Sequence, residues 1–448
     1  MTFTNVDEAT HWLLNQINPI PRPDMTKMYQ ALEYVGNPHK GLPIIHITGT
    51  NGKGSTVAYL RDLLSSQGYK VGSFTSPHIE RFNERITFDG QQISDEALIR
   101  LTNQLVELND YMEAYSPYGR LIYFELFTIM MCLYFQEKKP DVCLIEAGIG
   151  GMSDCTNVLD GEIAVVTSIG MDHADMLGDT LESVALEKAG IIKPQKEVVT
   201  GLIQKSPLSI IDKWANARTA VHHSYDQTFG VKNINKLSPF KTQFQFWTDS
   251  QAIPQEAFEI NMVGDHQVRN AAVSLQVFIS WMAHQKQTID WPKAREALQK
   301  TKWIGRLEKI FENPYIFLDG AHNMEGLTAL KSVVDENFSA FEITIIYGGL
   351  KKKNQAEQVP LLLNFHAEKV YLTSFHHFEA MKEKDFAEVL QAESIVNRHK
   401  AHYVDDWKSW MNDYQLNNQN NKQALLLITG SLYFVSEARA YLLAHQMI

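Results

Sequence analysis

Short, almost wholly apolar runs alternate with amphipathic stretches along most of this chain. In the first half, the apolar runs cover residues 43–47, 70–75, 141–146 and 163–167. Stretches with helical spacing accompany them at 56–64, 94–115, 124–135 and 180–189. A run that is apolar throughout indicates a strand buried on both faces. The alternation therefore predicts an α/β fold with a mostly parallel sheet covered by helices on both sides.

The second half is less regular at first and then resumes the same alternation. Residues 195–262 have no clear period, and we predict hairpins within 231–248. A helix is predicted from residue 264 to 282. Further strands are predicted at 316–319, 343–347, 369–373 and 424–429. These strands indicate a second α/β series in the last third of the chain.

The change of pattern near residue 300 predicts two domains. We place the first at residues 1–299 and a smaller second one at 300–448, with a hinge at 298–305. A chain of 448 residues is long enough for two or three domains, each with its own core.

Composition argues against several classes of protein. A net charge of −11 disfavours a general nucleic-acid binder, because such domains are usually basic. Three cysteines without a CxxC pair cannot build a disulfide framework and fit a reducing cytoplasm. The apolar run at 126–135 is too short to span a bilayer, and the N-terminus has no signal pattern. We therefore expect a cytoplasmic protein with no membrane or nucleic-acid partner.

The stretch at 48–55, Thr-Gly-Thr-Asn-Gly-Lys-Gly-Ser, lies between a predicted strand and a predicted helix. Glycines at such a turn let backbone N–H groups surround an oxyanion, and the helix N-terminus adds a partial positive charge. Lys53 adds a full charge. A Gly-rich turn without a ligand is the alternative, but the strand-to-helix context and the lysine favour a cradle for a nucleoside triphosphate.

This cradle departs from the usual P-loop pattern. Ile47 occupies the place of its first glycine, and Gly54 the place of its hydroxyl residue, so that the hydroxyl comes one position later, at Ser55. We predict Ser55 as the N-cap of the following helix and Gly68 as its C-terminal stop.

Three polar side chains follow predicted strands of the first sheet: Ser76, Glu146 and His173. Carboxyl ends of parallel strands meet at one edge, so these residues should lie beside the phosphate loop. Carboxylate and hydroxyl oxygens suit Mg²⁺, whereas imidazole is less usual. His173 alone is equally well explained as a hydrogen-bonded loop residue, and Ser76 as a turn residue before Pro77. Glu146 is therefore the strongest candidate ligand.

Three more residues have a structural explanation as good as a functional one. Lys188, near a helix end, can simply complement the helix dipole. Asp319 and His322 follow a strand of the second domain, where a site and a capped turn are equally good interpretations.

Eight motifs in chain order resemble those of the folylpolyglutamate synthase and dihydrofolate synthase family. They lie at 49–55, 75–78, 146–151, 170–173, 187–190, 305–308, 319–323 and 429–433. The family belongs with the Mur-type ATP-dependent amide ligases. The resemblance implies a P-loop-type Mur ligase central domain followed by a Rossmann-like C-terminal domain, with the active site in the cleft between them.

The resemblance also implies a reaction. ATP phosphorylates a carboxylate of the folate, the amino group of L-glutamate attacks the acyl phosphate, and ADP and phosphate are released. Substrates would be folates, including tetrahydrofolate, and dihydropteroate as well. We expect ATP and two Mg²⁺ ions as cofactors, K⁺ as a further candidate, and a monomer.

Site residues are carried over by motif. The resemblance assigns ATP binding to Thr50, Asn51, Gly52, Lys53, Gly54, Ser55, Asn270, Arg306 and Asp319. It assigns one Mg²⁺ to Ser76 and Glu146 and a second to His173. It assigns the pterin region to Tyr123, Phe124 and Asp154, and the glutamate side to His322 and Ser431. Lys188 would be carbamylated, and the expected catalytic residues are Lys53, Lys188, His173 and His322.

Two departures bear on these assignments. Met152 and Ser153 replace the Arg and Leu of many members, which affects the pterin contacts. Lys352-Lys353-Asn354 replaces an Asp-Lys-Asp motif, so the acidic pair expected beside the nucleotide is missing.

Four alternatives stay open at this point. One is a monofunctional dihydrofolate synthase. A second is a Mur-type peptidoglycan ligase, which would carry a further N-terminal domain before the loop. A third is a P-loop ATPase switch, which would hydrolyse ATP without folate or glutamate. The fourth is a non-catalytic nucleotide-binding module, which would not need Glu146 and His173 at strand ends.

Overall fold

The computed structural model describes residues 2–17, 25–250, 253 and 256–445. The chain folds into two compact units. The first comprises Met1–Lys232, Gln245–Phe258 and Arg269–Gln299, and the second Asn233–Phe244, Glu259–Val268 and Lys300–Ile448. The units interleave along the chain before residue 300, so a simple division at that residue stays a prediction.

An eight-stranded sheet forms the centre of the first unit. Its strands are β1 (Ile44–Thr48), β2 (Val71–Phe74), β3 (Ile86–Phe88), β4 (Gln91–Gln92), β5 (Val142–Glu146), β6 (Ile163–Val166), β7 (Glu197–Thr200) and β8 (Val221–Ser224). Their order is β4-β3-β2-β5-β1-β6-β7-β8. All neighbours from β2 to β8 are parallel, and β3 and β4 pair antiparallel at one edge.

Helices surround this sheet. They are α1 (Val6–Leu14), α2 (Thr26–Tyr34), α3 (Lys53–Ser66), α4 (Asp95–Tyr115), α5 (Tyr123–Lys138), α6 (Ala174–Leu177), α7 (Leu181–Ala189), α8 (Lys205–Ala217), α9 (Asp265–His284) and α10 (Trp291–Lys300). Every residue of α5 from Glu125 to Phe135 is buried, as the mostly apolar run at 126–135 predicts for a helix covered on all sides. Among the described residues, no helix is long and apolar enough to cross a membrane.

Three further strands form a small sheet in the order β11-β10-β9. Their bounds are β9 (Phe229–Ser238), β10 (Lys241–Thr248) and β11 (Phe258–Ile260). β9 and β10 overlap the region 231–248 where hairpins are predicted, and a two-residue connection joins them.

A six-stranded sheet forms the core of the second unit, in the order β12-β13-β17-β14-β15-β16. Its strands are β12 (Glu308–Glu312), β13 (Tyr315–Asp319), β14 (Glu342–Gly348), β15 (Lys369–Thr373), β16 (Ala401–Val404) and β17 (Ala424–Gly430). Only β12 runs antiparallel to its neighbour. The accompanying helices are α11 (Met324–Asn337), α12 (Gln355–Leu363), α13 (Glu383–Leu390), α14 (Ile395–Lys400), α15 (Trp407–Asn418) and α16 (Leu432–Ala444). The predicted α/β class with a mostly parallel first sheet is confirmed.

Two details of the prediction are wrong. Ser55 is not the N-cap of α3, because the helix already begins at Lys53 and Gly52, with φ 89°, makes the turn into it. Residues 195–224 are not irregular, because β7 and β8 extend the parallel sheet and α8 connects them. β7 has only two apolar residues and β8 only one, so neither shows the apolar run of a buried strand.

A buried ion pair ties α2 to α5. Lys27 Nζ lies 2.8 Å from Glu125 Oε2, and the two side chains are 3% and 7% exposed. The same carboxylate oxygen accepts a hydrogen bond from the Ile122 N–H at 2.8 Å, at the start of α5. Removing the lysine would leave a buried carboxylate without its cation.

We predict that Lys27→Met lowers the free energy of unfolding of the first unit by about 3–5 kcal/mol, because a broken buried pair leaves one charge uncompensated. The double variant Lys27→Met/Glu125→Gln should recover much of the loss. Urea unfolding measures both. As a control, Arg100→Met breaks the exposed Arg100–Glu137 pair and should have a far smaller effect. A Lys27→Met change as small as this control would contradict the prediction.

Candidate active site

At two glycines of the loop between β1 and α3, neighbouring side chains leave no room for a Cβ atom. A Cβ on Gly49 would overlap Thr167 Oγ1, and one on Gly52 would lie 2.5 Å from Asn270 Oδ1. Gly52 also has φ 89°, a conformation that favours glycine. Asn270, predicted to contact ATP, is therefore packed directly against the phosphate loop.

The stretch that follows β6 holds this loop by hydrogen bonds. Thr167 Oγ1 donates to the Asn51 carbonyl at 2.6 Å. Ser168 Oγ donates to the same carbonyl at 3.0 Å and accepts from the Asn51 N–H at 2.9 Å. Thr50 Oγ1 accepts from the Gly170 N–H at 3.0 Å. Because β6 is the parallel neighbour of β1, both strand ends fix one loop conformation.

Lys53 is the first residue of α3 and turns back over the loop. Its Nζ donates to the Gly49 carbonyl at 2.8 Å and lies 3.4 Å from the Thr50 carbonyl. The ammonium group therefore lies within the turn that the sequence predicts to hold phosphate. The same turn from β1 into the first residues of α3 contains Thr50, Asn51, Gly52, Gly54 and Ser55.

The structure brings two of the three predicted metal ligands, Ser76 and Glu146, into contact. Glu146, 3% exposed, ends β5. The Ser76 N–H after β2 donates to Glu146 Oε2 at 3.4 Å. His173 follows β6, is exposed, and has a positive φ of 52°. Within the described ranges, no three His, Cys, Asp or Glu side chains are grouped to hold a metal ion. The assignment of His173 to a metal stays a prediction.

Lys188 is buried at 3% exposure near the end of α7. Burial, with the nearby positive charge of Lys53, lowers the pKa of the Lys188 amine to about 7, although Asp172, Asp154 and Glu187 oppose the shift. A far larger share of this amine is therefore neutral near pH 7 than of an exposed lysine. A simple helix-capping lysine would be exposed and charged, so burial favours the functional interpretation.

The residues of the predicted pterin region meet at Gly148. A Cβ there would lie 2.6 Å from the Phe124 ring and 3.1 Å from Asp154 Oδ2. Tyr123, the first residue of α5, stacks with Phe127 at a centroid distance of 6.1 Å. The structure thus brings two of the three predicted residues together and places Tyr123 next to Phe124.

Arg85 is a residue of this region that the sequence analysis missed. Its guanidinium lies 5.4 Å from the Tyr123 ring centroid, and its Nε donates to His78 Nδ1 at 2.8 Å. Burial and the Arg85 charge lower the pKa of His78 to about 4, so His78 is neutral. An arginine in a short turn before β3 has no signal in the sequence that links it to α5.

In the second unit, Asp319 ends β13 and accepts two backbone hydrogen bonds. Leu307 N–H donates to Oδ2 and Ala321 N–H donates to Oδ1, both at 2.9 Å. Burial raises the pKa of Asp319, while the charge of Arg306 opposes the rise. A Cβ on Gly320 would lie 3.2 Å from Arg306 Nη1, which places both predicted nucleotide residues at one turn.

The two residues predicted for the glutamate side lie at the same edge of the second sheet. His322 Nδ1 lies 2.7 Å from the Gly320 carbonyl, just after β13. Ser431 follows β17, the parallel neighbour of β13, and caps α16. Its N–H donates to the Gly348 carbonyl at 2.8 Å.

Residues at both departures from the family motifs make identifiable contacts. Ser153 Oγ donates to Glu187 Oε1 at 3.1 Å, and the Met152 N–H donates to the Glu187 carbonyl at 2.6 Å, so both anchor their loop to α7. Lys352 pairs with Glu379 at 2.5 Å. This lysine therefore has an acidic partner within the second unit.

Comparison with known proteins identifies two family profiles in the chain. Residues 122–278 match the Mur ligase middle domain, and residues 307–441 match the dihydrofolate synthetase C-terminal domain.

Whole-length relatives extend this match. The Lacticaseibacillus casei folylpolyglutamate synthase is 32% identical over 94% of each chain. An FPGS-AMPPCP-folate complex superposes with a TM-score of 0.81 at 28% identity, over 98% of this chain and 100% of the other. The Bacillus subtilis dihydrofolate synthase/folylpolyglutamate synthase is 36% identical over 98% of this chain and 99% of its own. The chain therefore belongs to the folylpolyglutamate synthase/dihydrofolate synthase family of ATP-dependent Mur-type ligases.

Proposed function

We propose that this protein adds L-glutamate to the carboxylate of folates, with ATP as the energy source, and that it uses dihydropteroate as a second acceptor. The observation that carries the proposal is the fixed phosphate loop, with Lys53 inside it and Glu146 at the neighbouring strand end. Family membership makes the product an amide. An AMPPCP-folate complex of a relative supports ATP and folate as ligands.

The chemistry requires an activated carboxylate. A folate carboxylate oxygen attacks the γ-phosphorus of ATP, and ADP leaves. The glutamate amine then attacks the acyl carbon, loses a proton, and phosphate leaves as the amide forms. The Lys53 ammonium and the N–H groups of the loop stabilise charge on the transferring phosphoryl group. Because the loop is held from both β1 and β6, its backbone N–H groups keep their directions during the reaction.

The donor set at the strand ends fits a magnesium ion. Glu146 supplies a buried carboxylate, and Ser76, whose N–H contacts that carboxylate, carries a hydroxyl; both are oxygen ligands of the type that Mg²⁺ takes. When bound there, Mg²⁺ would neutralise charge on the phosphate oxygens of ATP. His173 is the proposed ligand of a second ion, and K⁺ a further candidate.

Lys188 is proposed to be carbamylated. The neutral amine adds to CO₂ and releases one proton, which gives a carbamate anion. The lowered pKa supplies the neutral amine that this addition needs. A carbamate would also replace repulsion between Lys188 and Lys53 by attraction.

The remaining assignments complete the proposal. Tyr123 and Phe124 line the pteridine region that Asp154 supports. Arg306 and Asp319 are the proposed nucleotide residues of the second unit, and His322 and Ser431 serve L-glutamate. We propose a monomer that works in the cytoplasm.

We predict that Lys53→Ala lowers turnover by at least about 10²–10³-fold, because one preorganised charge is lost from the transition state. The far-UV circular dichroism spectrum should stay unchanged. Lys205→Ala, at the exposed first position of α8, is the matched control and should keep full turnover. Near-normal turnover of Lys53→Ala would contradict the role of the loop.

We predict that activity and a ¹³C-carbamate signal from ¹³CO₂ both fall as the pH drops below about 7, because the protonated amine of Lys188 cannot add to CO₂. Lys188→Arg should lack the signal at every pH and be almost inactive. An active Lys188→Arg variant, or a wild-type protein without the signal, would exclude the carbamate.

We predict that phosphate release is slow with ATP alone and rises when both a pteridine and L-glutamate are present. The acyl phosphate forms only on a bound carboxylate, and a site that excludes water protects it until the amine arrives. Phosphate release is measured with each substrate omitted in turn, with dihydropteroate and tetrahydrofolate as separate acceptors. Fast release without either acceptor would favour the ATPase switch.

A further inference from the structure

A chain of buried polar groups runs from the middle of β1 to the loop that carries Asp154. His46 Nε2 lies 2.9 Å from Thr156 Oγ1. Thr156 Oγ1 lies 2.5 Å from Asp154 Oδ1, to which it donates. All three residues are fully buried at 0% exposure. No step of the proposed reaction uses His46 or Thr156.

The direction of each proton in this chain is fixed. A threonine hydroxyl has one hydrogen, and Thr156 gives it to the Asp154 carboxylate. His46 Nε2 must therefore donate to Thr156 Oγ1. Burial, with the Lys193 charge, lowers the pKa of His46 to about 3, so the ring is neutral and carries its hydrogen on Nε2.

The carboxylate is almost fully occupied by its own loop. Oδ1 accepts from the Thr156 hydroxyl and from the Thr156 N–H, the latter at 3.0 Å. Oδ2 accepts from the Ile149 N–H at 2.9 Å. A carboxylate has about four acceptor positions, so Asp154 keeps about one, on Oδ2. Its orientation is thus set before any substrate arrives.

A second anchor on the same face of β1 holds the loop. Thr48 lies two residues after His46, and its Oγ1 donates to the Gly150 carbonyl at 2.5 Å. The phosphate loop begins at the next residue. The strand that leads into the ATP cradle therefore fixes both ends of the Asp154 loop.

We propose that His46 and Thr156 are positioning residues for pteridine binding, which orient the Asp154 carboxylate and hold its loop against Phe124. The inference rests on the proposed function, because it takes a 2-amino-4-oxopteridine as the ligand of this region. Asp154 is itself fully buried, so its carboxylate acts by holding the Ile149 backbone in place beside Gly148 and Phe124, which line the ligand region. His46 and Thr156 act through Asp154 and do not touch the ligand.

The test compares variants that keep or remove each hydrogen bond while the side chain stays similar in size and shape. Thr156→Val removes the hydroxyl, and Thr156→Ser retains it. His46→Phe removes the donor, and His46→Gln retains one near Nε2. Thr102→Val removes a similarly buried hydroxyl from α4 and is the control. Measurements are KM for dihydropteroate and for ATP, kcat, and the equilibrium Kd for folate by fluorescence.

We expect Thr156→Val and His46→Phe to raise the pteridine KM and the folate Kd about tenfold, the size expected for one lost bond to a charged group, with the ATP KM unchanged. Thr156→Ser and His46→Gln should recover most of the affinity. ¹⁵N NMR should show His46 protonated on Nε2. If His46→Phe fails to fold, the two Thr156 variants still decide the question.

Three outcomes would overturn the proposal. They are a wild-type pteridine affinity in Thr156→Val, an equal rise of the pteridine and ATP KM, and a His46 hydrogen on Nδ1. A wild-type protein that binds folate but forms no glutamate amide would instead overturn the proposed function alone, because the Kd comparison still tests the positioning residues.

Discussion

The site of this protein depends on how closely the phosphate loop packs against its surroundings. Side chains of Thr167 and Asn270 occupy the space that a Cβ would need at Gly49 and Gly52. The loop can therefore take one backbone path, and its N–H groups keep their directions. A methyl group at Gly49 would displace the Thr167 hydroxyl that holds the loop, and one at Gly52 would displace the Asn270 amide that packs against it.

Much of this arrangement could be predicted from the sequence. The apolar runs of β1, β5 and β6 show a parallel sheet, and the rule that such strands share a carboxyl edge places Glu146 and the glycine loop together. Lys53 can be assigned to the phosphate loop from the sequence, because a lysine between glycines at the start of a helix has few structural explanations. The order of the eight motifs along the chain indicates the family, and the full-length relatives confirm it.

Other parts had no local signal. β7 and β8 are rich in polar residues, so their strand character depends on pairing, of β7 with β6 and of the edge strand β8 with β7, rather than on their own sequence. The lowered pKa of Lys188 arises from burial by residues distant in the chain. Thr167 and Ser168 brace the loop through hydroxyls that the sequence gives no reason to distinguish from others. Helix α3 begins at Lys53 because Gly52 makes the turn into it, whereas the preference for a hydroxyl residue at the N-cap predicts Ser55.

The position of Lys53 Nζ has a consequence for nucleotide affinity. Two carbonyl oxygens of the loop, on Gly49 and Thr50, accept hydrogen bonds from the ammonium group. An incoming phosphate has to compete with them, so the net affinity is the difference between two hydrogen-bonded states of one lysine. This competition weakens nucleotide binding, which suits a cycle in which the same loop must let ADP go after every amide bond.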